Sequence, residues 1–100
     1  MTSRLGGRLP ELRTAIPGPR SRALTARLGK VESPNITAVD AAGPVFWVEA
    51  AGANVRDADG NVYVDLTAGF GVAAAGHGNA AVADAAGGQL KRLPHAMGDV

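Results

Sequence analysis

Residues 45–66 read VFWVEAAGANVRDADGNVYVDL, and the order of strand formers and turn residues in this stretch decides the fold. Val45 to Ala50 is rich in residues that suit a pleated, half-buried surface. Val45, Trp47 and Glu49 alternate with Phe46, Val48 and Ala50, so a strand is expected in which neither face is purely polar. Ala51 and Gly52 allow a turn, and Asn54 to Arg56 follows as a second short strand. Asp57, Ala58, Asp59 and Gly60 are the strongest turn signal in the chain, because Asp carboxylates bond neighbouring backbone amides and glycine accepts a positive φ. A third strand places Val62 and Val64 on one face and Tyr63 and Asp65 on the other. The pattern predicts a three-stranded antiparallel meander.

Downstream, Ala68 to Gly78 carries glycines at 69, 71, 76 and 78, too many for a regular element, so the backbone must bend or pass close to something. A helix is expected after Asn79 as N-cap, with Val82, Ala86, Leu90 and Leu93 on one face and Pro94 ending it. Gly87 and Gly88 inside that helix cost about 1 kcal/mol each relative to alanine, so it needs packing to be stable. Upstream, Leu24, Leu28 and Val31 share one helical face, with Ser21 available as a cap and an end near Gly29. Ser33, Pro34 and Asn35 break that pattern, and a connector reaches Gly43 and Pro44. Residues 1–19, punctuated by Gly6, Gly7, Pro10, Pro17, Gly18 and Pro19, read as a flexible basic arm. The expected class is α+β: arm and short helix, three-stranded meander, glycine-rich loop and C-terminal helix, with residues 20–100 as one segment.

Composition limits what such a chain can bury. The hydrophobic share of its 100 residues is 46%, but runs such as Ala80 to Ala86 show how much of it is alanine. The four aromatics, Phe46, Trp47, Tyr63 and Phe70, cluster in the middle third, so any core must form there and the rest must pack on something else. With no cysteine and two histidines, a disulfide is excluded and a closed zinc site is not expected. No apolar run is long enough to span a bilayer, and a soluble, cytoplasmic chain without membrane partners is expected. Residues 1–30 hold seven basic side chains against Glu11 alone, while the remainder holds three basic against eight acidic. A nucleic-acid contact and an organellar transit segment are the sharp readings of this asymmetry. A solvated tail packing on a partner is preferred, because glycine and proline disperse the arginines and no aromatic among them offers base stacking.

Several motifs are tested by their flanks. Were Gly60 the invariant glycine of a calcium loop, its first and twelfth positions would be Val55 and Leu66, neither of which supplies a carboxylate. Gly69, Gly71 and Ala74 fit the G-x-G-x-x-A dinucleotide pattern after a strand. That strand, however, is a hairpin arm, the next helix starts late, and no acidic residue stands at the ribose distance. A phosphate loop fails because Gly76 is followed by His77 and Gly78 rather than Lys and Ser or Thr. His77 and His95 are candidate acids or bases, but neither has an orienting carboxylate nearby in sequence, and a backbone-bonded structural role is the preferred reading.

Taken in order, these features resemble the N-terminal part of class III aminotransferases of fold type I, the branch that includes ω-amino-acid, ornithine and acetylornithine transaminases. Gly52 opens the match, and Val55, Asp57, Asp59 and Gly60 form a V-x-D-x-D-G turn. Tyr63 to Leu66 continues as Y-[VIL]-D-[FL], Ala68 to Val72 as A-G-[IF]-[GA]-V, and Gly76 and His77 as the following G-H. Gln89, Leu90 and His95 fall where the family's next helix has Q-L and a downstream His, and Ser21 to Asn35 is similar to its first helix. Two departures stand out. The family usually has a proline two or three residues after G-H, where this chain has Gly78, Asn79, Ala80 and Ala81, and Gly87 and Gly88 replace helix formers.

The resemblance implies pyridoxal 5'-phosphate as cofactor, an amine or amino-acid substrate, and a homodimer in the complete enzyme. It assigns substrate contacts to Phe70, Gly71 and Val72: Phe70 as an apolar wall, Gly71 through close approach of backbone. A core position for Phe70 is the competing reading. It also implies that His95 to Gly98 lies near a dimer interface. The chemistry needs a Schiff-base lysine and a carboxylate on the pyridine nitrogen. Lys30 and Lys91 are the only lysines, and both fall in segments matching non-catalytic parts of the family. No catalytic, cofactor-binding or metal-ligating residue is therefore expected here. The expectation is an enzyme fragment that is inactive alone and depends on partner surface for order. A small binding module and a dinucleotide-binding half are the alternatives.

Overall fold

The computed structural model describes residues 4–33, 43–96 and 98, and the connector expected over 34–42 lies outside them. Helix α1 (Pro19–Leu28) comes first, followed by strands β1 (Trp47–Ala51), β2 (Asn54–Asp57) and β3 (Val62–Val64), and then helix α2 (Ala80–Arg92). The strands form one antiparallel sheet in the order β1-β2-β3, the meander expected from residues 45–66. The class is α+β.

Turn chemistry fixes the register. Gly52, at φ +56°, and Ala53 form a two-residue connection closed by the Ala51 and Asn54 pair. The first strand starts two residues later than its composition suggests, because Trp47 pairs with Asp57 while the register slips between Trp47 and Glu49. Glu49 recovers a cross-strand partner in Arg56, 2.7 Å away. Between β2 and β3 the Asp57 carboxylate organises the turn. Its Oδ1 accepts from the backbone N–H of Asp59 (2.9 Å) and Asn61 (2.8 Å), and its Oδ2 from Asn61 Nδ2 (2.8 Å) and the Tyr63 hydroxyl (2.7 Å). Burial pushes this carboxyl up, but the hydrogen bonds from Asn61, Tyr63 and the backbone outweigh it and hold the group below its ordinary 3.8. The same burial, with the bond to Asp57, pushes the Tyr63 phenol up to about 12.

The core is small and half polar. Among the described residues Val55 and Val62 are its buried apolar side chains, surrounded by buried Ser21, Asn54, Asp57 and Asn61. The aromatics do not fill it: Trp47 is half exposed and Phe70 almost fully so. The buried amides instead hold the basic arm. Asn54 Oδ1 accepts from the backbone N–H of Gly6 and Arg8, and Asn61 Oδ1 accepts from those of Arg13 and Thr14. Glu11 exchanges both backbone hydrogen bonds with Val62, so the arm runs along β3 as a short further rung. Arg8 and Arg13 both pair with the Glu11 carboxylate.

Helix α1 begins earlier than expected and is capped differently. Pro19 occupies its first turn, where a missing N–H costs nothing, and Gly18 is the N-cap. Ser21 is not the cap. The acceptor comes from the distant hairpin turn: Asp59 takes hydrogen bonds from the backbone N–H of Arg20 (2.7 Å) and Ser21 (2.9 Å) and from Ser21 Oγ (2.7 Å). Burial raises this carboxyl, and the Ser21 and Arg20 donors outweigh it to leave it lowered. Val31, expected on the apolar face of α1, lies past its end and is exposed.

A Cβ added at Gly18 would collide with the Asp59 carboxylate. Gly18→Ala is therefore expected to lower stability by about 1–3 kcal/mol and to reduce helical circular dichroism. Gly7→Ala, where the added carbon meets nothing within 4 Å, should leave both unchanged.

Helix α2 has the expected cap, Asn79, whose side chain accepts from the Val82 N–H at 3.1 Å. None of its residues is buried, so the face of Val82, Ala86 and Leu90 is exposed, and Leu93 is the C-cap beyond it. The radius of gyration, 16.7 Å, exceeds the roughly 13 Å of a self-contained domain of this length, consistent with a helix that no described residue buries.

Candidate functional site

The glycine-rich loop leaves β3 and returns to the sheet at His77. Four consecutive residues have positive φ: Ala68 (50°), Gly69 (58°), Phe70 (59°) and Gly71 (83°). The Gly71 N–H donates to the Thr67 carbonyl and the Ala73 N–H to the Ala68 carbonyl, closing a left-handed turn. Such backbone costs about 1–2 kcal/mol for each residue bearing a Cβ, so Ala68 and Phe70 are held against their preference.

Phe70 is 96% exposed and Val72 is 91% exposed. Phe70 is therefore no core residue of the meander; its ring stands out from a strained position. A Cβ at Gly71 would meet nothing within 4 Å, so within the described residues it is the positive φ that favours glycine there. Val72 lines an open groove of about 480 Å³ between the loop and α2, together with Ala75, His77, Asn79, Val82 and Ala86. Phe70 and Gly71 are not part of that lining.

His77 has the orienting carboxylate that its sequence neighbours do not offer. Its Nε2 lies 2.7 Å from Asp65 Oδ2, twelve residues earlier. The same carboxylate accepts from Gly69 N (2.8 Å), Thr67 N (2.9 Å) and Thr67 Oγ1 (2.8 Å). His77, Thr67 and Gly69 together hold the Asp65 carboxyl well below its ordinary range. The His77 backbone exchanges both hydrogen bonds with Gly52, each 2.8 Å, and its ring meets Trp47 edge-on with centroids 6.0 Å apart. The Y-V-D-L and G-H motifs contain both partners, but only folding brings positions 65 and 77 together. His95 lies exposed beyond α2.

The geometry does not suit a dinucleotide. The strand before Gly69, Gly71 and Ala74 is the third strand of an antiparallel meander, and α2 begins only at Ala80. Among the described residues no group of three potential metal ligands occurs, and no helix is long and apolar enough to cross a membrane.

A family model described as aminotransferase class-III matches residues 36–100. The chain is similar to 4-aminobutyrate aminotransferase of Mycobacterium tuberculosis, with 39% identity over 82 residues, covering 82% of this chain and 18% of that protein. It is also similar to acetylornithine aminotransferase of Corynebacterium efficiens, with 50% identity over 52 residues, covering 52% of this chain and 13% of the relative. Glutamate-1-semialdehyde 2,1-aminomutase 1 of Cenarchaeum symbiosum is 45% identical over 49 residues, 49% of this chain and 12% of its own length. The chain thus matches 12%, 13% and 18% of the length of these relatives.

Proposed function

The chain belongs to the class III aminotransferase family, and from that premise we propose that it forms the N-terminal, substrate-facing part of a dimeric enzyme that transfers an amino group between an amine or amino acid and a 2-oxo acid. The carrying observation is Phe70, which combines a left-handed backbone with almost complete exposure. An aromatic in that state returns nothing to the stability of this chain, which is the pattern of a residue kept for contact with something else. In the proposed enzyme Phe70 gives an apolar wall to the substrate's carbon chain, Val72 extends that wall into the groove beside α2, and Gly71 allows the turn that presents both.

Pyridoxal phosphate, the cofactor the family implies, supplies the electron sink for such chemistry when bound. These residues do not fit it. Lys30 lies exposed past the end of α1 and Lys91 is exposed in the last turn of α2, and neither lines the groove beside the loop. Cofactor binding and proton transfer are therefore assigned to residues outside these hundred, and this segment alone is proposed to be inactive.

The test is a chimera of the 4-aminobutyrate aminotransferase relative in which this chain replaces the matching segment. Phe70→Gly in the chimera should raise KM for the amino donor about tenfold, the worth of a partly lost aromatic contact. In the isolated chain the same substitution relieves the positive φ, so the unfolding midpoint should not fall. An unchanged KM, or a lowered midpoint, contradicts the reading.

A further inference from the structure

We propose that Asp65 and His77 are positioning residues that clamp the two ends of the left-handed turn 68–71 and so set the direction in which Phe70 and Val72 point. This rests on the reading of residues 70–72 as the substrate-facing wall.

The turn needs an external restraint. Two of its four residues carry a Cβ at positive φ, and the exposed Phe70 ring cannot anchor it by burial. The restraint available is polar. Asp65, whose side chain is 3% exposed, holds the entry through Thr67 N, Thr67 Oγ1 and Gly69 N. His77, 16% exposed, holds the exit, its backbone paired to Gly52 and its ring bonded back to Asp65. Gly69 lies beside that ring, since an added Cβ would come 3.8 Å from His77 Cε1.

The two ends are thus tied to one another as well as to the sheet. Both Asp65 oxygens are engaged, and an ionised carboxylate can only accept, so Nε2 is the ring nitrogen that carries the proton towards it. Edge contact with Trp47 fixes the ring plane. The clasp needs all of these parts: a donor at the Nε2 position, a carboxylate at 65, and a backbone pair at Gly52.

Amide hydrogen exchange in the 100-residue chain reads the clasp without reference to activity. His77→Phe keeps a ring beside Trp47 but removes the donor, and should speed exchange at Gly69 and Gly71 at least about tenfold, the loss of one charge-assisted bond. Exchange at Asp57 and Val62 in the sheet should stay as it is. His77→Gln, which restores an N–H donor near the Nε2 position, should recover slow exchange. Unchanged loop exchange in His77→Phe, equal acceleration in loop and sheet, or no recovery in His77→Gln would overturn the clasp.

In the chimera, His77→Phe should raise KM for the amino donor more than it lowers kcat, with His77→Gln recovering it. A clasp seen by exchange together with an unmoved KM would leave the loop restraint standing and refute the assignment of residues 70–72 to substrate.

Discussion

Replacing Asp57 with alanine is expected to unfold the hairpin, lowering stability by about 4 kcal/mol. The carboxylate is the common acceptor for two backbone amides, the Asn61 side chain and the Tyr63 hydroxyl, and its own side chain is buried. Alanine would leave those donors without this acceptor, the two on Asn61 in buried positions and those on Asp59 and Tyr63 in part-buried ones, and each buried unmet group costs about 1–3 kcal/mol. A typical domain has roughly 5–15 kcal/mol in all. Among the described residues Val55 and Val62 are the buried hydrophobic side chains, so the loss takes most of what this small core supplies. Asp57→Asn keeps an oxygen for the amides of Asp59 and Asn61 but turns a second donor towards Asn61 Nδ2, so roughly half the loss is expected. Denaturant titration followed by Trp47 fluorescence reads this, since Trp47 pairs with Asp57 across the sheet.

The same network sets the pH limits of the hairpin. Asp57 has a folded-state value below its ordinary 3.8, so its contribution is complete above that value and is lost as pH falls through the folded one. Tyr63 is raised from 10.0 to about 12, so its contribution is complete below 10.0 and is lost as pH rises towards 12. Asp57→Asn, which keeps part of the network, should abolish the acid limb associated with this carboxyl and shift the alkaline limb down, because the charge that helps raise the phenol is gone.

Local chemistry accounts for what could be read in advance. Alternation and β-branched residues mark three strands, Asp-Ala-Asp-Gly marks the turn, and Asn79 marks the start of α2; each signal acts over a few residues. Partnerships across the fold leave no such mark. Asp59 is spelled as a turn residue and acts also as the cap of a helix some 38 residues earlier. Asn54 and Asn61 look like ordinary turn formers, yet their buried amides hold the backbone of residues 6–14. His77 lacked a carboxylate among its neighbours because its partner, Asp65, belongs to the other end of the loop. Phe70 to Val72 were singled out by resemblance rather than by pattern. The structure adds what resemblance did not hold: the strain at Phe70, its exposure, and the reason Gly71 must be glycine.

An all-or-none result is expected when the purified chain meets pyridoxal phosphate. A cofactor lysine must be enclosed so that its amine is desolvated and neutral, and a carboxylate must sit on the pyridine nitrogen. Lys30 and Lys91 are exposed, with nothing enclosing either amine, so adducts at them are expected to be dilute and exchanging. Asp57, Asp59 and Asp65 are already committed to partners within the hairpin and the loop. On the proposed reading these features separate a substrate-facing wall in this segment from a cofactor centre outside it.

Borohydride reduction of the chain with one equivalent of pyridoxal phosphate, followed by peptide mass spectrometry, tests that separation most directly. The account predicts at most trace labelling spread over both lysines and no amino transfer to a 2-oxo acid. Stoichiometric labelling of Lys30 or Lys91 alone, accompanied by turnover, would contradict it.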